Sequence, residues 1–171
     1  ISIKIDSKGP VFYRQERITQ YGKKFRIHKF RTMVTDADKI GSQVTVAGDS
    51  RITKVGRMIR KCRLDEVSQL LDVLSGKMTF VGTRPEVTKY VEQYTSEMKA
   101  TLLLPAGVTS LASIKYKDED SLLENAENAD ETYVNEVLPG KMEYNLQAIR
   151  KYGFWRDIGT MFRTVGAVLK R

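Results

Sequence analysis

The stretch 57–86 constrains this chain more than any other, because it joins a basic segment, two adjacent carboxylates, an apolar helical pattern and a stiff turn. Apolar residues recur at helical spacing through 64–75 and stop at Gly76, so this part is predicted to be an amphipathic helix. Asp65 and Glu66 then lie in its first turn. Acidic groups between two sets of arginines suit phosphoryl-transfer chemistry.

Two interpretations of the acidic pair remain open at this stage. Carboxylates in a first turn cap free N–H groups and favour the positive end of the helix dipole. The same helix start attracts phosphate, and Arg60, Lys61 and Arg63 just before it add positive charge. Neighbouring helical residues point about 100° apart, so the functional interpretation gives the pair different tasks. One carboxylate attacks phosphorus and the other holds a divalent cation.

Cations elsewhere also suit an anion. Arg84 precedes a proline, which keeps it out of the α region and presents it rigidly, as bidentate phosphate binding requires. A salt bridge to a nearby acid such as Glu86 is the alternative for this arginine. Lys29 and Arg31 are two residues apart in a predicted strand, so they share one side of its edge and form a candidate anion site.

Length and charge limit the class of protein. A chain of 171 residues suits one domain, 1–171, and its net charge of +8 indicates anionic partners. The lone Cys62 excludes an internal disulfide and is predicted to pack on the apolar side of 52–62, while the lone His28 leaves little room for histidine-based catalysis. No apolar run is long enough to span a bilayer.

The remaining patterns predict an α+β fold, mainly helical with a small antiparallel sheet. Ile1, Ile3 and Ile5 alternate with polar residues, which is typical of a strand. The predicted elements in chain order are a hairpin at about 9–33, a short helix at 35–41 with a polar loop to 48, active-site helices at about 53–76 capped by Thr53, a strand at 78–81, a helix at 87–103, a short element at 111–116, a helix at 133–152 broken near Pro139-Gly140, and a helix at 154–171.

Two late segments have a distinct character. The acidic segment 117–136 lacks the spacing of a calcium loop and is predicted to be solvated, facing the cytosol. The C-terminal helix at about 154–171 is basic and amphipathic. It either packs on the core or lies in a membrane interface with Trp155 at the level of the headgroups.

The order of motifs resembles the bacterial sugar transferases, small monotopic phosphoglycosyl transferases that act on polyprenyl phosphate. The matching stretches are GPVFYRQER at 9–17, FRIHKFRTM at 25–33, DSRITKVG at 49–56, RKCRLDEVSQLLDVLSGKMTFVGTRPE at 60–86, and more weakly PAGVTSLASI at 105–114 and YVNEVLPGKMEYN at 133–145. The resemblance covers nearly the whole chain.

This resemblance implies an enzyme that transfers a sugar-1-phosphate from a UDP-sugar to polyprenyl (undecaprenyl) phosphate and releases UMP, at the start of glycan assembly. By the match to the family's motifs, Asp65 is the nucleophile that forms a covalent phospho-sugar intermediate, and Glu66 holds Mg²⁺. Lys29, Arg60 and Arg84 match its cations. The implied location is the cytoplasmic face of the bacterial inner membrane. Whether this piece is itself soluble, and whether it forms oligomers, stays open.

The sequence departs from the family's pattern in four ways. Ser68, Asp72 and Thr83 stand where the family usually has Pro, Asn and Pro. The first two bear on the geometry of the predicted helix 64–75, called the dyad helix because it carries Asp65 and Glu66, and the third bears on the placement of Arg84. The family's N-terminal re-entrant membrane helix is not in this stretch, so we expect the sequence to be a fragment that folds yet is inactive on a lipid substrate.

Two other classes compete with a transferase. A basic nucleic-acid- or membrane-binding module without catalysis would explain the positive charge. Against nucleic acid, there is no helix-turn-helix, no finger cysteines and no aromatic platform among the cations, so no nucleic-acid partner is expected. The other class is a peripheral membrane scaffold with an inactive site. The presence of Asp65, Glu66 and Arg84 argues against it, because an inactive site does not need these residues.

Overall fold

The structure, a computed structural model, describes residues 1–40, 45, 48–124 and 126–169. The strands are β1 (Phe12–Ile18), β2 (Lys24–Phe30), β3 (Thr79–Val81) and β4 (Gly107–Thr109). The α-helices are α1 (Ser2–Asp6), α2 (Ala37–Ile40), α3 (Lys54–Lys61), α4 (Leu70–Leu74), α5 (Thr88–Val91), α6 (Leu111–Lys115), α7 (Glu119–Leu122), α8 (Ala129–Thr132), α9 (Leu138–Arg150) and α10 (Phe154–Leu169). Short 3-10 helices at Gln20–Gly22, Leu64–Gln69 and Met98–Leu103 and a π-helical turn at Tyr133–Val137 join them. The predicted α+β class is confirmed.

The predicted hairpin is present. Strands β1 and β2 pair antiparallel, with Phe12 opposite Phe30 and Ile18 opposite Lys24. The chain reverses at Tyr21 and Gly22, where φ is 58° and 72°. The short helix α2 lies within the predicted 35–41, whereas 41–44, 46 and 47 of the loop expected after it lie outside the described residues.

A second sheet was not predicted. Strand β3 lies within the predicted 78–81, and it pairs in parallel with β4, with Thr79 opposite Gly107 and Val81 opposite Thr109. The two sheets meet through a small apolar cluster of Phe25 and Ile27 from β2 with Met78 beside β3. This contact fixes the hairpin relative to the chain that follows the acidic pair.

The first residues form helix α1 and not the predicted strand. Ile3 is buried, but Ile1 and Ile5 are exposed, so the alternating pattern is not used for pairing. The segment is instead organised by Arg31, whose guanidinium donates hydrogen bonds to the carbonyls of Pro10, Ser7 and Ile3 and to the hydroxyl of Ser7. Arg31 is 5% exposed and serves this packing.

Helix α3 is held close to the end of the hairpin strand. Thr53 caps it as predicted, with its hydroxyl accepting from the N–H of Gly56 at 3.0 Å. A Cβ at Gly56 would lie 2.0 Å from the carbonyl oxygen of Thr32, so this glycine permits direct contact of two backbones. Ile59 is buried, but Cys62 is exposed at the end of the helix, and the prediction that it packs inside was wrong.

The long helix predicted over 87–103 is interrupted. Helix α5 ends at Val91, and helical structure resumes only in the 3-10 turn from Met98. The hydroxyl of Thr95 accepts from the N–H of Met98 at 3.2 Å, a local side-chain bond that starts this new turn. Tyr90 and Tyr94 are nevertheless both buried.

The main core lies under the second half of the chain. It contains Val87, Tyr90, Tyr94, Leu123, Tyr133, Val137, Leu138 and Met142. The predicted break near Pro139 is absent, because the wide π-helical turn before α9 continues the helix and places the proline in its first turn. The acidic segment, predicted to be solvated, in fact contributes Leu123 to this core.

Candidate active site

Most of the predicted site residues meet around a cavity of about 360 Å³. One wall comes from β2, α3 and the loop after β3, and the other from α6, α7, the π-helical turn and α9. The lining includes five of the predicted site residues, which are Lys29, Arg60, Asp65, Glu66 and Arg84. Arg31 does not join them, because its side chain is used by the N-terminal segment.

The acidic pair is aimed by an unusual backbone. Arg63 has a left-handed conformation, with φ 54° and ψ 20°, and turns the chain from α3 into the 3-10 helix Leu64–Gln69. This costs a non-glycine residue about 1 kcal/mol. Asp65 and Glu66 stand in the first turn of that helix, as predicted, and they have different partners.

The two carboxylates differ in their partners within the described residues. Arg84 donates a hydrogen bond to the Oε1 atom of Glu66, and the Nζ atom of Lys29 lies 3.8 Å from the same oxygen. The salt bridge considered as the alternative for Arg84 is therefore present, but its acid is Glu66 and not Glu86. Asp65 is buried, and its Oδ1 atom has no hydrogen-bond partner among the described residues. Such an oxygen is available to a ligand or a reacting atom.

The electrostatics separate the two carboxyls further. Burial and the neighbouring Glu66 raise the pKa of Asp65. Burial also opposes ionisation of Glu66, but Arg84 and Lys29 outweigh it and hold the pKa of Glu66 well below its usual range. Burial and Arg84 lower the pKa of Lys29 to about 8, although Glu66 opposes that shift. The pair thus consists of one firmly ionised carboxylate and one with a higher proton affinity.

This donor set fits a magnesium ion. The described residues contain no cluster of three or more metal-ligating side chains. Mg²⁺ does not need such a cluster, since it is commonly held by one or two carboxylates together with substrate phosphates and water. Glu66 is ionised and adjoins Asp65 in the chain, and the Oδ1 atom of Asp65 has no hydrogen-bond partner among the described residues, so the residues present meet that requirement.

A second charged group was missed by the sequence analysis. Lys141 is 4% exposed, and its Nζ lies 3.0 Å from Glu119, 2.9 Å from the hydroxyl of Tyr133 and 3.6 Å from Glu86. Tyr133 donates to Glu86 at 2.6 Å, and Arg17 lies 3.7 Å from the other oxygen of Glu86. Nothing local in the sequence pairs these residues, because they come from distant segments.

This group fixes the turn that carries Arg84. Glu86 is only two residues further on, its carbonyl accepts from the N–H of Ile18 at 2.9 Å, and Arg17 donates to the carbonyl of Pro85. Burial opposes ionisation of Glu86, but Lys141 and Arg17 outweigh it and hold its pKa below the usual value. The network therefore ties the Arg84 turn to both the hairpin and α9.

Behind the acidic pair, the helix buries polar side chains. Asp72 is completely buried, and it accepts the backbone N–H of His28 at 2.8 Å while its other oxygen lies 2.8 Å from the Nδ1 atom of that ring. An ionised carboxylate only accepts, so Nδ1 carries a proton in this pair. Asp72 thus links the dyad helix to β2, next to Lys29.

The opposite face of that helix is apolar and exposed. Exposed side chains here are Leu64, Val67, Leu70, Leu71 and Leu74. Helix α10 likewise exposes large apolar residues, which are Phe154, Trp155, Phe162, Val165 and Leu169. Over the described parts of the chain, no helix combines the length and hydropathy needed to cross a bilayer. The predicted C-terminal helix is present up to residue 169.

Comparison with known proteins identifies related sequences. The profile of the family described as Bacterial sugar transferase matches residues 1–171. UDP-glucose:undecaprenyl-phosphate glucose-1-phosphate transferase of Escherichia coli (strain K12) is 35% identical over 170 residues, covering 96% of this chain and 34% of that protein. UDP-N-acetylgalactosamine-undecaprenyl-phosphate N-acetylgalactosaminephosphotransferase of Aeromonas hydrophila is 32% identical over 172 residues, covering 99% and 38%.

A third relative is shorter. UDP-glucose:undecaprenyl-phosphate glucose-1-phosphate transferase of Caulobacter vibrioides is 33% identical over 172 residues, covering 99% of this chain and 60% of that protein. The chain therefore spans between 34% and 60% of the length of these three relatives.

Proposed function

The chain belongs to the bacterial sugar transferase family, and from this we propose that it is the catalytic part of an enzyme that transfers a sugar-1-phosphate from a UDP-sugar to undecaprenyl phosphate. The observation that carries the proposal is the pair of carboxylates at 65–66. Asp65 is buried, with one oxygen that has no hydrogen-bond partner among the described residues, and Glu66 next to it is paired with Arg84 and Lys29. The relatives' names do not support the nucleic-acid alternative.

We assign the first chemical step to Asp65. A carboxylate oxygen attacks the sugar-bearing phosphorus, a bond forms between them, and the bond from that phosphorus to the bridging oxygen breaks. UMP leaves with the electron pair. The raised pKa of Asp65 makes its carboxylate a better electron donor than an ordinary aspartate, provided it is ionised.

The second step regenerates the enzyme. An oxygen of the lipid phosphate attacks the same phosphorus, and the bond to Asp65 breaks, which yields the lipid diphosphate-sugar and a free carboxylate. Arg84, Lys29 and Arg60 line the cavity and would stabilise the charge that builds on the phosphates in both steps. This route predicts ping-pong kinetics.

Glu66 is the residue we propose to hold Mg²⁺. When bound, the ion would neutralise negative charge on the diphosphate of the donor. Glu66 suits this task because its pKa is held well below the usual range, which keeps it ionised at neutral pH. Arg84 is its present partner and would stay close to the phosphates.

We place the reaction at the cytoplasmic face of the bacterial inner membrane. The exposed apolar residues of α10, with Trp155 among them, suit a helix lying in the interface. The net charge of +8 favours an anionic membrane surface. An exposed free Cys62 suits a reducing compartment.

The test measures UMP release by the full-length protein. It is supplied in detergent with undecaprenyl phosphate, Mg²⁺ and a panel of UDP-sugars. We expect turnover on one or a few donors, lost on chelation, and a fall of at least about a thousandfold in Asp65→Asn because the nucleophile is removed. Full turnover in Asp65→Asn would refute the covalent step. No release from any donor by folded wild-type protein would refute the transferase itself.

A further inference from the structure

A second cavity of about 370 Å³ adjoins the charged one. Its walls come from the outer face of the dyad helix, from α6 and from the last turns of α10. The side chains that matter here are Val67 and Leu70 on one wall and Ile114, Val165, Ala167 and Val168 on the other. All of them are apolar, and Val67, Leu70 and Val165 are also among the exposed residues of the surface.

The two cavities share a wall. Arg63, Glu66, Arg84 and Ser113 line both of them. A molecule that lies across this wall would therefore meet guanidinium groups at one end and mainly apolar side chains at the other. Guanidinium groups favour a phosphate, and aliphatic surface favours hydrocarbon. The fitting occupant is an amphiphile with a phosphate head.

The groove offers little to a polar occupant. The hydroxyls of Thr109 and Thr164 in its wall lie 2.7 Å apart and share a hydrogen bond, and Thr164 also donates to the carbonyl of Thr160 at 2.8 Å. A peptide strand in this groove would need partners for its own N–H and C=O groups. A hydrocarbon chain has no such requirement, so it is favoured over a peptide.

We infer that this groove holds the first isoprene units of the lipid acceptor, with the acceptor phosphate at Arg63 and Arg84. The inference rests on the proposed function and adds the binding site of the acceptor chain to it. The residues of α10 that line the groove run from Thr164 to Leu169, which is roughly 8 Å of helix. Only the part of a long chain nearest the phosphate is therefore in contact, and the remainder extends away from the protein.

The experiment separates the donor half-reaction from the acceptor half-reaction. Exchange of labelled UMP into the UDP-sugar needs the donor site and no lipid. Transfer is then measured with citronellyl, farnesyl and undecaprenyl phosphate, using full-length protein in nanodiscs. In the wild type, we expect kcat/KM for the acceptor to rise from citronellyl to farnesyl phosphate and to change little beyond it.

A matched pair of variants tests the groove. Ala167→Phe adds a ring on the groove wall, whereas Gly166→Phe adds the same bulk where an added Cβ has no neighbour within 4 Å. We expect Ala167→Phe to raise KM for farnesyl phosphate roughly tenfold, by displacing one or two methyl-sized groups. Exchange should stay within about twofold of wild type, since the donor site is untouched. Gly166→Phe should leave both reactions unchanged.

A second measurement does not depend on turnover. A photoactivatable farnesyl phosphate should label peptides that contain Val67–Leu70 and Thr164–Leu169, and undecaprenyl phosphate should compete with it. Val67→Gln, on the facing wall, should reduce this labelling even if Ala167→Phe folds poorly. Labelling confined to other surfaces would overturn the inference and leave the groove to a polypeptide segment.

The outcomes distinguish the two levels of the proposal. Absence of UMP exchange in the wild type would refute the proposed function. Normal exchange together with an unchanged acceptor KM in Ala167→Phe and Val67→Gln would refute the groove assignment alone. Equal kcat/KM for all acceptor lengths in the wild type would also refute it.

Discussion

The dyad helix and the helices around Tyr133 are both amphipathic, yet they bury opposite faces. In the main core, Leu138 is 1% exposed and packs with Val137 and Met142. In the dyad helix, Leu74 is 83% exposed, whereas Asp72, two residues earlier in the chain, is fully buried. The comparison teaches that a helical pattern tells which residues share a face but not which face turns inward.

Charge explains why the dyad helix is turned this way. Its polar side meets a lysine and a histidine on the hairpin, Lys29 and His28, through an ion pair and hydrogen bonds. Its apolar side is left exposed, with Leu74 as the most exposed residue. One region is therefore stabilised by apolar burial, and the other by a polar network that faces the site.

The largest expected difference in stability is between the same leucine-to-alanine substitution made in the main core and in the dyad helix. Leu138→Ala should lower the free energy of unfolding by about 3 kcal/mol, because it leaves a cavity in a packed core. Leu74→Ala should change it by less than about 0.5 kcal/mol, because that side chain is exposed. Urea denaturation followed by far-UV circular dichroism measures both. A similar loss in the two variants would show that Leu74 is covered in the full-length protein.

The next effect concerns the polar face of the dyad helix. Asp72→Ala should cost about 2 kcal/mol, since it leaves the backbone N–H and the Nδ1–H of His28 without an acceptor. Asp72→Asn is the matched control, because the amide keeps an acceptor for the backbone and can donate to the other ring tautomer. It should be close to wild type. Equal destabilisation by Ala and Asn would mean that the charge of Asp72, and not its hydrogen bonds, holds the helix.

The smallest expected change in stability concerns Glu86, which connects the hairpin to the helices around Tyr133. Glu86→Gln should cost about 1 kcal/mol at neutral pH, since hydrogen bonds to a charged group are stronger than neutral ones by about that amount. The pKa of Glu86 is lowered in the folded protein, so its contribution is complete above the ordinary glutamate pKa. That contribution is lost as the pH falls through the lower, folded value.

Thermal unfolding of wild type and Glu86→Gln across acid pH measures this loss. The gap between their melting temperatures should close as the solution is acidified. If the difference in melting temperature did not depend on pH, the substitution would act by changing side-chain packing. The ion pairs of Glu86 with Lys141 and Arg17 would then not contribute to stability.

Local patterns in the sequence predicted the parts of the fold that depend on neighbours in the chain. The hairpin strands, the Thr53 cap and the stop at Gly76 each follow from a few adjacent residues. The helix expected over 87–103 failed because the Thr95 hydroxyl starts a new turn there. The pairing of β3 with β4 depends on contacts across the chain, which no local pattern contains.

The site was predicted unevenly for the same reason. The sequence predicted Asp65, Glu66 and Arg84, because they lie close together in the chain and within a stretch that resembles the family's motifs. Arg31 was assigned by strand alternation alone, and its neighbours in space proved to be backbone carbonyls of the N-terminal segment. Lys141 carried no signal, because a lysine within a helix is ordinarily solvated and only its partners Glu86 and Tyr133 make it part of the site.

The contact of Gly56 with the carbonyl of Thr32 limits how this chain can diversify. The backbones of α3 and of the chain after β2 touch at this point with no side chain between them. Substitutions therefore have little means of changing the distance between the arginines of α3 and the hairpin. Under the proposed function, adaptation to a new sugar would act on the opposite wall, where Tyr116 and Glu119 line the cavity. For protein engineering, the α3 side of the cavity is the scaffold and the wall of Tyr116 and Glu119 is the place to vary.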